Sequence, residues 1–177
     1  YPVCLPEYRK YKGHISMYHL VDTLSRLMKP DAVVVSDAGS AFYVTTQAIN
    51  LRANQRYLTS GGQADMGFTV PAAIGAAVAK RGEVFGITGD GSFQLNIQEL
   101  QTIVHNRLPV KIVVLNNNGY LSIRATQNKF FEGRLIGTGP ESGVSMPDLK
   151  KIARAYGIKH FLFKNSATLE RDLKKAM

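Results

Sequence analysis

Two hard oxygen donors stand where two apolar runs end. Residues 84–88 close on Gly89-Asp90-Gly91-Ser92, and residues 110–115 close on Asn116-Asn117-Asn118-Gly119. Asp90 offers an anionic carboxylate oxygen and Asn117 a neutral amide oxygen. Gly119 can turn a third oxygen, its own carbonyl, toward the same point. Mg²⁺ takes oxygen ligands in octahedral geometry, commonly one or two carboxylates completed by phosphate and water. The amides of Gly91 and Ser92, at a strand-to-helix turn, would face an anion with the helix dipole behind them. Glycine there lets the backbone come close to a phosphate. Either motif alone reads more readily as a tight turn or a plain loop. Together, each closing an apolar run, they predict a site for a hard cation and a diphosphate. Ligands in open α/β sheets bind outside the carboxyl ends of the strands, so both runs must deliver their donors to one sheet edge.

The elements that would position these donors alternate between strand and helix patterns. Ser16 stands before a helix with Leu20, Leu24 and Leu27 at helical spacing, ended by Pro30. Residues 32–36 form a continuous apolar run, a buried parallel strand, which leads into Asp37-Ala38-Gly39-Ser40. From residue types alone, that loop is equally a ligand loop or a routine turn. Residues 42–49 read as a helix and 56–59 as a short strand. A glycine-rich loop over 60–67 precedes Met66-Gly67-Phe68. Pro71 suits the first turn of an alanine-rich helix over 72–80, closed by Gly82 and able to pack closely on a sheet. Beyond Asp90, Ile97, Leu100, Ile103 and Val104 form one apolar helical stripe. Arg124 is equally a carboxylate binder or a surface ion pair. Residues 133–143 form a glycine-rich loop of a length common in lids and binding loops. Ser145 to Asp148 open a helix striped by Leu149, Ile152, Ala153 and Tyr156. Residues 160–164 read as a strand, and Ser166 caps a final helix with Leu169 and Leu173.

The chain has 177 residues, 45% of them hydrophobic, enough for one domain with a substantial core. Cys4 is the only cysteine, which rules out an internal disulfide and is compatible with a reducing, cytoplasmic setting. No run approaches the ~20 apolar residues that span a bilayer, so no membrane role is expected. The net charge of +9 is spread along the chain except at Arg9-Lys10-Tyr11-Lys12 and Lys174-Lys175. It reads as a solvated or partner-facing surface that also attracts anionic ligands, and not as a nucleic-acid footprint. A basic nucleic-acid-binding module is the rival of another class; it would bind with strong salt dependence and have no need of Asp90. Residues 1–14, rich in Pro, Tyr and charge without a period, read as a linker from a preceding domain, and 15–177 as one domain. A first residue other than Met, and a last residue inside a helical pattern, lead to the expectation of a piece of a longer protein.

The paired signature of Gly89-Asp90-Gly91-Ser92 and Asn116-Asn117 resembles that of thiamine-diphosphate-dependent enzymes. Ser60-Gly61-Gly62, Met66-Gly67-Phe68, Pro71 to Ala76 and Ser122-Ile123-Arg124 are similar to blocks of the acetolactate synthase type, in its C-terminal, diphosphate-binding domain. The resemblance implies a three-layer α/β/α domain with a mainly parallel central sheet. It implies thiamine diphosphate and Mg²⁺ as cofactors, with Asp90, Asn117 and the Gly119 carbonyl on the metal. Cofactor contacts carried over on matching positions are Ala38, Gly39, Ser40, Gly62, Met66, Gly89, Asp90, Gly91, Ser92, Asn117, Gly119, Tyr120 and Leu121. Met66 would prop the two rings of the cofactor into a bent shape, and residues 120–131 would lie over its open side. The family's activating glutamate belongs to a pyrimidine-binding domain contributed by a second subunit of a homodimer or tetramer. This chain therefore carries no catalytic residue of its own and is expected to be inactive alone. The parent would decarboxylate a small 2-keto acid such as pyruvate and pass the fragment to a second carbonyl compound, as a transferase or lyase. A small subunit of a two-chain decarboxylase is the nearer rival. Acetolactate synthases commonly carry Gln-His where Ser40-Ala41 stand here, a departure that bears on the substrate.

Overall fold

The computed structural model describes residues 2–177; of the 1–14 lead-in, only Tyr1 lies outside them. Four strands form one sheet: β1 (Val33–Ser36), β2 (Arg56–Thr59), β3 (Val84–Gly89) and β4 (Val110–Leu115), in the order β2-β1-β3-β4. Every pairing is parallel, with Val33 opposite Arg56 and Val84, and Val84 opposite Val110. The central β1 is Val-Val-Val-Ser with all four residues buried, as a strand covered on both faces must be.

Helices cover both faces, which makes the expected three layers. Val34, Phe85 and Ile87 point to one side, against Val21, Leu24 and Met28 of and just after α1 (Met17–Leu27) and Ala41 of α2 (Gly39–Ala48). Val33, Val35 and Val84 point to the other, against Ala73, Ala76 and Ala77 of α3 (Thr69–Lys80). The alternation is the period of two that a strand imposes. The alanine-rich α3 does close tightly on the sheet: a Cβ at Gly86 would stand 2.8 Å from Thr69 Cγ2 and 2.9 Å from Ile112 Cδ1. The chain continues through α4 (Asp90–Gln94), α5 (Leu100–His105), α6 (Leu121–Phe130), α7 (Leu149–Ala155) and α8 (Leu169–Ala176). Leu169 and Leu173 of α8 are buried beside Leu20 of α1. Among the described residues no helix is long and apolar enough to cross a membrane.

Several local expectations are corrected. The helix after Asp90 is not continuous: it breaks at Leu95-Asn96, re-forms as a 3-10 turn over Ile97–Glu99, and resumes as α5. Leu100 and Ile103 stay buried, but Val104 turns out to 37% exposure. The residue that ends α3 in the left-handed conformation is Arg81 (φ +53°), not Gly82. Asp148, not Ser145, caps α7, its carboxylate accepting from the amides of Lys150 and Lys151. The Asn165 side chain caps the turn before α8 by accepting from Ala167, while the Ser166 hydroxyl donates to the His14 carbonyl. Residues 160–164 pair with no strand. Ile158 and Phe163 pack beside β4 on its two faces, but Phe161 and Leu162 remain exposed, so a ladder there would gain no buried face.

Candidate functional site

The chain leaves β1 toward β2 on one side, while β3 lies on the other. The carboxyl ends of β1 and β3 therefore flank the topological switch point, where such sheets bind ligands. Four loops meet there: 37–39 after β1, 60–68 after β2, the start of α4 after β3, and 116–120 after β4. They border an open cleft with a volume of about 110 Å³. Its walls include Ala38, Gly39, Ser40, Met66, Gly89, Asp90, Gly91, Ser92, Asn117, Gly119, Tyr120 and Leu121. Ala41, Leu115, Ser122 and Ile123 line it as well, whereas Gly62 does not.

Asp90 and Asn117 converge because β3 and β4 are adjacent and in register, with Gly89 opposite Leu115. Asp90 is 1% exposed. Its Oδ1 accepts the Gly91 amide (2.9 Å), and its Oδ2 accepts the amides of Asn117 and Gly119 (both 3.1 Å). A buried carboxylate needs such donors to offset its lost hydration. Two carboxylate oxygens offer about four lone-pair directions. These three bonds use one on Oδ1 and two on Oδ2, which leaves one on Oδ1. The Asn117 backbone is thus bound to Asp90, but its side-chain Oδ1 is buried with no hydrogen-bond partner. Thr45 and Thr59 also bury a hydroxyl oxygen without a partner, but of these atoms only that of Asn117 belongs to a residue lining the cleft, where a cation or a donor from outside the chain could reach it. The Gly119 carbonyl accepts only the Leu121 amide (3.2 Å). Gly119 itself sits at φ +127°, its α-carbon pressed against the Thr138 carbonyl, where a Cβ has no room. One carboxylate, one amide oxygen and one carbonyl, with phosphate and water to complete the shell, is a donor set that suits Mg²⁺. Among the described residues no three His, Cys, Asp or Glu side chains converge.

Asp37, which sequence reading left without a role, ties the two central loops together. It is fully buried, and its Oδ2 accepts the hydroxyls of Ser92 (2.6 Å) and Thr88 (2.8 Å), while Oδ1 accepts the Ala38 amide (2.7 Å). The one signal for it was an acid placed just beyond a run of three valines. Because Ser92 spends its proton on Asp37, only its backbone amide, in the first turn of α4, remains for an anion. Tyr120 closes the other side: its ring lies on Gly91, in the space where a Cβ would stand. Gly39 (φ +55°) brings α2 to Ser122 of α6, whose hydroxyl also meets the Tyr43 phenol at 2.7 Å. Of the two roles open to Arg124, the structure fills the ion pair. Its Nε stands 3.5 Å from Glu141 Oε1, and its Nη2 donates to the carbonyls of Asn118 and Thr138. Arg124 thereby clamps the loop that carries Asn117 and Gly119.

A parallel α/β sheet with a cleft at its switch point, a buried carboxylate and an unpartnered amide oxygen in its wall, defines a class of ligand-binding α/β domains. Residues 37–177 match the family described as thiamine pyrophosphate enzyme, C-terminal TPP binding domain, and the chain belongs to that family. It is 36% identical to the acetolactate synthase large subunit of Porphyra purpurea, over all of this chain and 29% of that protein. It is 35% identical to the acetolactate synthase isozyme 3 large subunit of Escherichia coli, over 98% of this chain and 30% of that one. It is 36% identical to an acetolactate synthase of Mycobacterium bovis, over 82% of this chain and 24% of that one. The chain thus spans less than a third of the length of these curated relatives.

Proposed function

We propose that this chain is the cofactor-anchoring domain of an acetolactate-synthase-like enzyme and holds thiamine diphosphate through Mg²⁺. The observation that carries this reading is the buried, unpartnered Asn117 Oδ1 beside Asp90 at the switch point. Asp90 Oδ1, Asn117 Oδ1 and the Gly119 carbonyl would hold the ion. The Ser92 amide, with Gly89 leaving the backbone bare, would meet the diphosphate; the Gly91 amide, expected to face the anion as well, donates to Asp90 instead, and Ala38, Gly39 and Ser40 would border the site. Met66, 39% exposed on the cleft wall, would support the rings, and Tyr120 and Leu121 would cover them. Bound there, thiamine diphosphate supplies a carbon nucleophile and an electron sink for 2-keto acid chemistry. The chain's own residues bind, orient and exclude water.

The activating glutamate is assigned to a pyrimidine-binding domain from a second subunit, in a homodimer or tetramer. In support, α6 buries none of its residues and leaves Leu121 and Ile123 exposed at the cleft and Phe130 exposed at the far end of the helix, apolar surface suited to a neighbouring domain. The parent would decarboxylate a small 2-keto acid and transfer the fragment to a second carbonyl compound, and the chain alone would be inactive. Titration of thiamine diphosphate into the full-length protein, with and without Mg²⁺, tests the anchor. Asp90→Ala should abolish the Mg²⁺-dependent part of the affinity, and an unchanged Mg²⁺ dependence would exclude it.

A further inference from the structure

We infer that Asn96 and Ser92 are positioning residues that set Met66 against the rings of the cofactor, separately from the diphosphate anchor. The inference rests on the thiamine diphosphate reading above. Asp37 Oδ2 accepts the Ser92 proton at 2.6 Å, and a carboxylate has no proton to return. The direction of that bond is therefore fixed, and the Ser92 oxygen is free to accept. It accepts the Gly67 amide at 2.7 Å, a bond that is itself buried. The Gly67 carbonyl in turn accepts Asn96 Nδ2 at 2.8 Å. Both polar groups of Gly67 are thus held from α4 and from the break behind it.

Gly67 is also sterically pinned. It sits at φ +84°, and a Cβ there would stand 2.9 Å from Leu95 Cβ and 3.0 Å from Asn96 Nδ2. Met66, the next residue back, lines the cleft on the wall formed by the 60–68 loop. The bonds of residues 60–66 on the approach to this staple are local to the loop, with Ser60 accepting the amides of Gln63, Ala64 and Asp65, and Met66 itself is 39% exposed. The break in the helix at Leu95-Asn96 gains a purpose, since Asn96 (φ −135°) leaves the helical path where its amide reaches Gly67. The chain Asp37–Ser92–Gly67–Asn96 hands the position of the central strands to a side chain that faces the rings. No member of it other than Ser92, through its backbone amide, is offered to the diphosphate.

The test separates ring from diphosphate. Thiamine diphosphate and inorganic pyrophosphate are each titrated, with Mg²⁺, into the full-length protein and its variants. Asn96→Ala should weaken thiamine diphosphate by about tenfold, one lost hydrogen bond's worth, and leave pyrophosphate affinity unchanged. Asn96→Asp, which keeps the size but not the donor, should bind thiamine diphosphate no better than Asn96→Ala. Ser92→Thr, which keeps the hydroxyl, should bind thiamine diphosphate as the unaltered protein does. Unchanged pyrophosphate binding also certifies that each variant is folded. Equal losses for both ligands, or none for either, would overturn the inference while leaving the anchor reading standing. A wild-type protein that binds neither ligand in a Mg²⁺-dependent way would overturn both.

Discussion

At Asn117 the backbone and the side chain do separate work. The amide N–H binds Asp90, while Oδ1 binds nothing within the chain. Asn117→Ala should therefore change folding stability by no more than about 0.5 kcal/mol, yet weaken Mg²⁺-dependent cofactor binding by about tenfold or more. Denaturant melts and calorimetric titration of the same variant check both halves. Gly119 predicts the opposite pattern. A Cβ at φ +127° against the Thr138 carbonyl strains the loop, so Gly119→Ala should cost about 1–3 kcal/mol in denaturant melts as well as lowering affinity. That Asp90, Asn117 and Gly119 would meet at one sheet edge was legible in the sequence, because they stand where apolar runs close. Asp37 was not, because its value lies in whom it touches. Nothing in Asp37-Ala38-Gly39-Ser40 says that the carboxylate turns inward to Thr88 and Ser92.

Among the elements, β1, β3 and β4 followed from apolar runs rich in Val and Ile, and the boundaries that failed were those decided by tertiary contacts. The helix after Asp90 has an unbroken apolar stripe, but Asn96 leaves it to bond Gly67. Residues 160–164 have strand-forming residues, but Phe161 and Leu162 have no layer to cover them. The final helix, α8, is pinned mainly by Leu169 and Leu173, 0% and 3% exposed. Leu173→Ala should cost about 2–5 kcal/mol by thermal or denaturant melting. Its charged face responds to acid. Hydrogen bonds from Lys174 and from Arg26 of α1 hold the Glu170 carboxyl down from 4.5 to about 2. A lowered folded-state pKa gives stability that is full above the unfolded value and lost as protons bind. The α1–α8 tie should therefore hold above pH 4.5 and weaken as pH falls toward 2. Hydrogen exchange at the α8 amides should rise in that window, less so in Glu170→Gln, whose tie is absent throughout. Since the pair is exposed, the effect is small beside that of Leu173.

For the whole molecule, the fold brings four loops to one switch point and leaves α6 uncovered beside them, with Phe130, Phe131 and Ile136 at 67%, 58% and 75% exposure. A domain that spans 29% of an acetolactate synthase large subunit and bears such a face is suited to working against a neighbour. The expected outcome is 2-keto acid turnover by the full-length protein and none by this chain alone, measured as substrate loss under saturating thiamine diphosphate and Mg²⁺. The central claim is that Asp90 and Asn117 share one divalent ion with a diphosphate. Anomalous diffraction from crystals of the full-length protein grown with Mn²⁺ and thiamine diphosphate tests it most directly. The account predicts a metal peak about 2 Å from both Asp90 Oδ1 and Asn117 Oδ1, with diphosphate oxygens completing the shell. A metal bound elsewhere, or bound here with the Asn117 oxygen still unligated, would contradict it.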